Sequence, residues 1–445
     1  FSRYQPDLLI TVDNGISSHA GVEQAQAHGM QVIITDHHLT TKATPDAEAV
    51  VNPNQLGCEF PSKALAGVGV AFYLLANLSS HRNKLSKSSS KITDYLDLVA
   101  LGTYADVASL DYNNRILVDA GLKRIQCKQC RAGISALLDI AGRDPAQLKA
   151  QDLGFVLGPR INAAGRMETM DIGIECLLAN DLQTAYPLAQ QLNQLNIERR
   201  HVEADMKQQA LSALASLSLD SAQLPAALIL FEPHWHQGVI GIVAGRLKEQ
   251  FHRPSIVFAA DEDGIHLKGS ARSIDGVHIR DAIELIAEQH PQLISHFGGH
   301  AAAAGLTLKK IHFEPFKQAF EQLIATMDES LFHATLWTDG ELPSHAFQIQ
   351  TVDLLQNLTP WGQNFPAPVF EGKFKVLDYR WLKDSHLKLK LVLENAQVVD
   401  AIAFNARDKF EFNPMQDTVN LVYELDKNEF NGNVSLQLRI LHLEQ

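Results

Sequence analysis

The stretch from Asp7 to His38 leaves this chain little choice of fold. "DLLITVD" is a short apolar run, "DNG" a turn, "SSHAGVEQAQAHG" a helix opened by serine and closed by glycine, and "QVIITD" a second apolar run. Strand, helix and strand in so short a span form a βαβ unit, whose strands are parallel and whose crossover is nearly always right-handed. Asp13 and Asp36 then end neighbouring parallel strands, on the edge where open α/β sheets place their ligands. His37 and His38 follow Asp36 directly, so three polar residues close a run that reads as buried core.

The chain of 445 residues has room for two to four domains and a sizeable core. No apolar run is long enough to span a bilayer, and no charged-then-apolar leader opens the chain. The four cysteines are Cys58, Cys127, Cys130 and Cys176. They are too few for a disulfide framework and point to reduced thiols in a cytoplasm. Cys127 and Cys130 form a lone CxxC, and a zinc site needs about four ligands. A net charge of −13 excludes a uniformly basic nucleic-acid binder but leaves room for a local basic groove. Phe1 leads straight towards a strand, so part of the first domain is expected upstream.

Further along, "LAGVGVAFYLLANLS" and "KITDYLDLVALG" read as helices around a polar, serine-rich loop, "SHRNKLSKSSSK". Short helices fill about 112–180, and from Asn180-Asp181 a long, mostly polar helix is expected to bridge domains. A second α/β pattern follows: strands "PAALILF", "PSIVFAA" and "IHLKGSARS", helices "HQGVIGIVAGRLKEQF" and "IRDAIELIAEQ", and "FGGHAAAAGLTL" leading into the last strand. In the first of these helices Gly238, Gly241 and Gly245 lie on or near one face. From about 333 short alternating runs predict a small barrel of about five strands, an OB-fold. "LTPWGQNFPAPVF" reads as an extended, proline-fixed loop before it. The expected architecture is thus α/β: a parallel-sheet domain, incomplete at its N-terminus, over 1–115; a helical connector over 116–217; a second α/β domain over 218–330; and a β-barrel over 333–445.

Asp13, Asp36, His37, His38 and Asp106 form the first chemical cluster. Carboxylates with imidazoles and no thiolate suit Mn²⁺ or Mg²⁺ better than structural zinc. A strand-end carboxylate can bridge two ions about 3.5–4 Å apart, the spacing of two-metal phosphoryl chemistry. Singly, Asp13-Asn14-Gly15 is a turn and Asp36 a helix cap; together they require two coincidences. In "KGSARS", Ser270 and Arg272 offer a hydroxyl and a planar fork to one phosphate, or else a polar strand end. Gly298, Gly299 and His300 precede an alanine-rich run, where glycines at a helix start free backbone N–H groups for an anion, or simply pack tightly. Arg160, Asn162 and Arg166 either reach phosphates or cap a turn. "GKFKVLDYRWLKDSHLKLK" at 372–390 carries six Lys or Arg against two Asp, with Phe374, Tyr379 and Trp381 interleaved. It reads as a base-stacking, phosphate-binding surface, or as barrel core with a solvated face.

"VDNG", "TDHH" and "GTYADV" resemble the successive motifs of the DHH phosphoesterases. "GPRINAAGR" at 158–166, "KGSARS" at 268–273 and "FGGHAAAAG" at 297–305, with a barrel after them, resemble that family's single-stranded-DNA exonuclease branch. The resemblance covers essentially the whole chain. It implies metal-dependent 5′→3′ hydrolysis of single-stranded DNA to mononucleotides, in DNA repair and recombination, with a DHHA1-like second α/β domain. It implies Asp13, His37 and Asp106 as ligands of two Mn²⁺ or Mg²⁺ ions, His38 beside the scissile phosphate and Asp36 in support. It places Ser270 and Arg272 near the 5′ end of the strand, and a single-strand-binding protein and a helicase among the partners. It also implies an aspartate pair, DxD, on a strand upstream of Phe1, so the metal site is expected to be partial and the chain weakly active or inactive. The rival readings are a DHH phosphodiesterase acting on short oligonucleotides or nucleotides, and a catalytically dead single-stranded-DNA scaffold.

Overall fold

The computed structural model describes residues 6–40, 43–85, 91–216, 224–430 and 432–445. The chain divides into two compact units, residues 1–158 with 337–445, and residues 159–336.

The βαβ reading of the opening stretch holds. Strand β1 (Leu8–Val12), helix α1 (His19–Ala27), strand β2 (Gln31–Thr35) and strand β3 (Ala49–Val51) form a parallel three-stranded sheet in the order β1-β2-β3. Val32 and Ile34 point from β2 onto Val22 and Ala25 of α1, which fixes the register. Ser18 stands at the N-cap of α1 but makes no side-chain capping bond, unlike the serine cap expected there. Among the described residues β1 pairs with β2 alone, and its Leu8, Ile10 and Val12 are exposed. Helix α2 (Gly67–Leu85) reaches into the segment expected as loop, and the serines at 88–90 lie outside the described residues.

Helices α3 (Leu96–Ala105), α4 (Tyr112–Gln126), α5 (Ala132–Ile140) and the short α6 (Ala150–Asp152) follow, then a π-helical turn, Leu153–Leu157. The α3–α4 crossing is close because Gly121 has no side chain. A Cβ there would stand 2.6 Å from the Ala100 Cβ and 2.8 Å from the Leu96 carbonyl carbon. Gly121→Ala is therefore expected to destabilise the protein by about 2 kcal/mol, the usual cost of overpacking, despite alanine's better helix propensity. Urea unfolding measures it, and an unchanged midpoint would show that the helices part freely.

In the second unit, α7 (Gly158–Met167) continues the chain into α8 (Asp171–Leu178) and α9 (Leu182–Ser216). The described length of the long helix lies within the second unit. Met206, Ala210 and Leu214 near its end pack on a sheet face, and Ala185, Ala189 and Leu192 are buried nearer its start, so tertiary packing of an apolar stripe holds this mostly polar helix. That sheet comprises β4 (Leu228–Phe231), β5 (Ser255–Ala260), β6 (His266–Arg272), β7 (His296–Gly299) and β8 (Ala303–Lys309), in the order β4-β5-β6-β8-β7. Helix α10 (Ile240–Phe251) packs with α9 on one face; α11 (Ile279–Gln289) and α12 (Phe313–Ala325) cover the other. Gly238 precedes α10 rather than belonging to it, and a Cβ on Gly245 would meet nothing within 4 Å, so of the three glycines only Gly241 lies in the helix at a close approach.

In the first unit, α13 (Ile349–Leu358) precedes a closed barrel of β9 (Phe370–Leu382), β10 (His386–Val392), β11 (Val398–Ala403), β12 (Thr418–Phe430) and β13 (Asn433–Glu444), ordered β10-β11-β13-β12-β9. Leu387, Leu389 and Leu391 alternate inward, as a strand with one buried face must. The proline-fixed loop is pinned to the end of α3: the Tyr104 hydroxyl donates to the Trp361 carbonyl, and Leu110 N–H to the Gln363 carbonyl at 2.8 Å. Among the described residues no helix is long and apolar enough to cross a membrane.

Candidate metal centre and phosphate-binding residues

β1 and β2 deliver their terminal residues to one edge. Asp36, 1% exposed, accepts hydrogen bonds from Ile16 N–H at 2.9 Å, from the backbone N–H groups of His37 and His38 at 2.8 and 3.1 Å, and from the His38 ring Nδ1–H at 2.6 Å. Burial pushes this carboxyl up, but the hydrogen bonds outweigh it and hold it below the ordinary carboxylate value. Asp36 is therefore an ionised support whose oxygens are already engaged, and it orients His38.

His37 is aimed from behind. Its Nδ1–H donates to the Leu65 carbonyl at 2.9 Å, which turns Nε2 towards Asp13 Oδ1 at 2.9 Å and Asp106 Oδ2 at 3.8 Å. The loop between β3 and α2 holds both histidine carbonyls: Asn52 donates to His38 O at 3.0 Å and Asn54 to His37 O at 2.6 Å. Asp13 takes a left-handed φ of 58° as β1 ends, and it lies against the start of α2. A Cβ on Gly67 would stand 2.6 Å from the Asp13 Cγ, so only glycine leaves the carboxylate its place. Asp106 arrives from the C-cap of α3 rather than from a strand. Burial raises its pKa; His37 pulls it back, and the Asp13 charge adds to the rise.

Ligand atoms of Asp13, His37 and His38 lie within 4.8 Å of one another. Two carboxylates and an orientated imidazole nitrogen converge without a thiolate. This hard O/N donor set fits Mn²⁺ or Mg²⁺, and a cation there relieves the repulsion between Asp13 and Asp106.

In the second unit, Arg272 Nη1–H donates to Ser270 Oγ at 2.9 Å and to the Ala271 carbonyl at 2.8 Å. Burial first, and the nearby Arg166 charge second, push its pKa down. Arg166 itself donates to the Gly238 carbonyl at 3.1 Å, just before α10. A Cβ on Gly241 would lie 2.8 Å from Ser270 Oγ and 2.9 Å from Arg272 Nη2, so the first turn of α10 approaches this pair closely. Two guanidinium groups and a helix N-terminus gathered here favour an anion.

Arg160 donates to Asn193 of α9 at 3.1 Å, while Asn162 is exposed on α7. Gly298, Gly299 and His300 do not start a helix as expected. They end β7 and turn into β8, with His300 N–H donating to the Ala303 carbonyl at 2.8 Å. Gly299 has a φ of 146°, and a Cβ on it would stand 2.5 Å from the Ala304 Cα, so the glycine serves a tight hairpin. On the barrel, Phe374 is core, at 5% exposure, whereas Tyr379 is 41% exposed beside Phe412, and Trp381 is half-buried beneath the Arg407 guanidinium, 5.1 Å from its ring centre.

The order of these parts matches known proteins. The DHH family N-terminal domain matches residues 1–103, the DHHA1 domain 221–330 and the RecJ OB domain 338–442. The chain is 48% identical over 445 residues to the single-stranded-DNA-specific exonuclease RecJ of Haemophilus influenzae, an alignment covering 98% of this chain and 77% of that protein. The chain belongs to the RecJ family. The Escherichia coli RecJ is 46% identical over 441 residues, 97% of this chain and 76% of that one. RecJ of Thermus thermophilus in complex with Mn²⁺ superposes with a TM-score of 0.83 at 31% identity, covering 99% of this chain and 62% of that one; its Mg²⁺ complex gives 0.78 at 30%, covering 99% and 61%. The chain thus spans about three quarters of the first two RecJ proteins and under two thirds of the third. RecJ structures carrying Mn²⁺ and Mg²⁺ agree with the donor set described above.

The sequence pointed to Asp13, Asp36, His37, His38 and Asp106 but missed Gly67, the Leu65 carbonyl and the Asn52–Asn54 pair. "NPN" after a strand and "LAGVG" at a helix start are the signals that could have found them.

Proposed function

We propose that the protein hydrolyses single-stranded DNA from its 5′ end, releasing 5′-mononucleotides in DNA repair and recombination. The observation that carries this is the convergence of Asp13, Asp106 and the Leu65-aimed His37 at the end of a parallel sheet. A divalent ion held there supplies positive charge against the phosphoryl oxygens and lowers the pKa of water. The chain's own residues do the rest. Asp13, His37 and Asp106 bind; Asp36 fixes the His38 ring beside the scissile phosphate. Ser270 and Arg272 take the 5′ phosphate, with Arg160, Asn162, Arg166, Gly298, Gly299 and His300 on neighbouring phosphates. Tyr379 and Trp381 stack bases, which suits a long polymer better than a dinucleotide.

Catalysis belongs to residues 1–115, end binding to the connector over 116–217 and the α/β domain over 218–330, and strand holding to the barrel over 333–445. The protein acts in the cytoplasm, consistent with its free cysteines, alongside a single-strand-binding protein and a helicase. The test, on the chain extended to the full length of its RecJ relatives, is degradation of a 5′-phosphorylated single strand against the matching duplex, with Mn²⁺ or with EDTA. Metal-dependent loss of the single strand alone is expected; equal loss of the duplex, or loss in EDTA, would overturn the reading.

Arg272 decides end recognition. A terminal phosphate carries more charge and more open oxygens than a diester, and a planar fork beside a hydroxyl matches it. Arg272→Lys keeps the charge but loses the fork. Preference for 5′-phosphate over 5′-hydroxyl strands, as a ratio of kcat/KM at one salt concentration, is expected to fall about tenfold. An unchanged ratio would move end recognition to Arg160 or Arg166.

A further inference from the structure

Three large apolar side chains stand exposed on segments that carry or support residues of the metal centre. Leu39, 72% exposed, directly follows His38. Val107, 63% exposed, directly follows Asp106 and is held at a φ of 55°. A β-branched residue pays for that left-handed backbone, and such strain gathers where function requires it. Phe155, 80% exposed, sits in the π-helical turn Leu153–Leu157. A π-turn is a costly insertion kept mostly at functional sites. This one is well anchored: Leu153 and Leu157 are fully buried and Val156 nearly so. It also lies on the last turn of α3, the turn that ends in Asp106. A Cβ on Gly154 would stand 3.3 Å from the Tyr104 ring, and one on Gly158 would stand 3.7 Å from the Ala105 Cβ. Phe155 is thus an exposed ring on an anchored turn that packs against the last turn of α3.

We propose that Phe155 stacks on the nucleobase next to the scissile phosphate, within an apolar rim that Leu39 and Val107 extend from the metal-centre residues. This rests on the exonuclease reading above. The ligand chemistry is a nucleobase face of any sequence, because every base offers one. A lone phenylalanine left 80% in water gains nothing for the fold, whereas a base laid on it removes apolar area from both partners.

The experiment compares unmodified protein, Phe155→Ala and Phe155→Tyr for the Kd, in EDTA, of a 5′-phosphorylated single strand and of the same strand with its first base removed. Phe155→Ala is expected to weaken the intact strand about tenfold and leave the abasic strand unchanged, and Phe155→Tyr to restore binding. Equal weakening on both strands would mean a packing role and overturn the proposal, as would no weakening at all. Mn²⁺-dependent hydrolysis by the otherwise unmodified protein, extended to the full length of its RecJ relatives, is followed in parallel. Its presence with Phe155→Ala indistinguishable sinks the stacking alone; its absence sinks the exonuclease reading and this proposal with it.

Discussion

In the chain extended to the full length of its RecJ relatives, Asp13→Ala and His37→Ala are each expected to lower single-strand hydrolysis by about 10³-fold or more while leaving the far-ultraviolet circular dichroism unchanged. Asp13 is exposed at a strand end and His37 is bonded to the Leu65 carbonyl, so neither contributes to the apolar cores. What each removal takes away is a ligand and, for Asp13, a charge that holds a cation against the phosphate. The two variants should also lose Mn²⁺ affinity in calorimetry, a readout independent of turnover. Asp36→Ala is different in kind. It removes the acceptor of four hydrogen bonds at a buried position, so it should cost stability as well as activity. Turnover near that of the unmodified protein in either Asp13→Ala or His37→Ala would mean that the ligand set is wrong.

The sequence made the sheet-edge part of the site legible for a physical reason. Two apolar runs around a crossover-length helix force parallel strands, and parallel strands put Asp13 and Asp36 on the same edge. The barrel was legible in the same way, from the inward alternation of Leu387, Leu389 and Leu391. Asp106 was assigned by motif alone, because a helix C-cap carries no periodic signal. The hairpin at Gly298–Gly299 was misread as a helix start because alanine favours helices, yet propensity is a weak prior. Ala303–Lys309 instead pairs along its length with β6 and β7, and tertiary pairing wins. The orienting groups were invisible for a simpler reason. The donor to His37 O is a loop asparagine, and the acceptor for its ring is a backbone carbonyl, which every residue possesses.

Gly67→Ala tests that hidden layer without touching a ligand. Alanine favours a helix over glycine by about 1 kcal/mol, and Gly67 opens α2. On helix propensity alone the variant should be as stable or more so. The new methyl, however, would stand 2.6 Å from the Asp13 Cγ and 2.7 Å from its Cβ. Asp13 has little room to yield by its backbone, since it already sits at a φ of 58° where β1 turns away. Its carboxylate must therefore swing off, and that breaks the 2.9 Å approach to His37 Nε2. A displacement of about 1 Å in a positioned group costs on the order of 10²-fold in rate. Gly67→Ala is accordingly expected to keep or raise Tm, to weaken Mn²⁺ binding by about 10- to 100-fold, and to lower kcat by about 10²-fold. A fall in Tm that tracks the fall in kcat would point instead to a disturbed helix. Full activity with an unchanged Tm would show that the start of α2 can withdraw from Asp13, and that the site tolerates a gap the structure does not show.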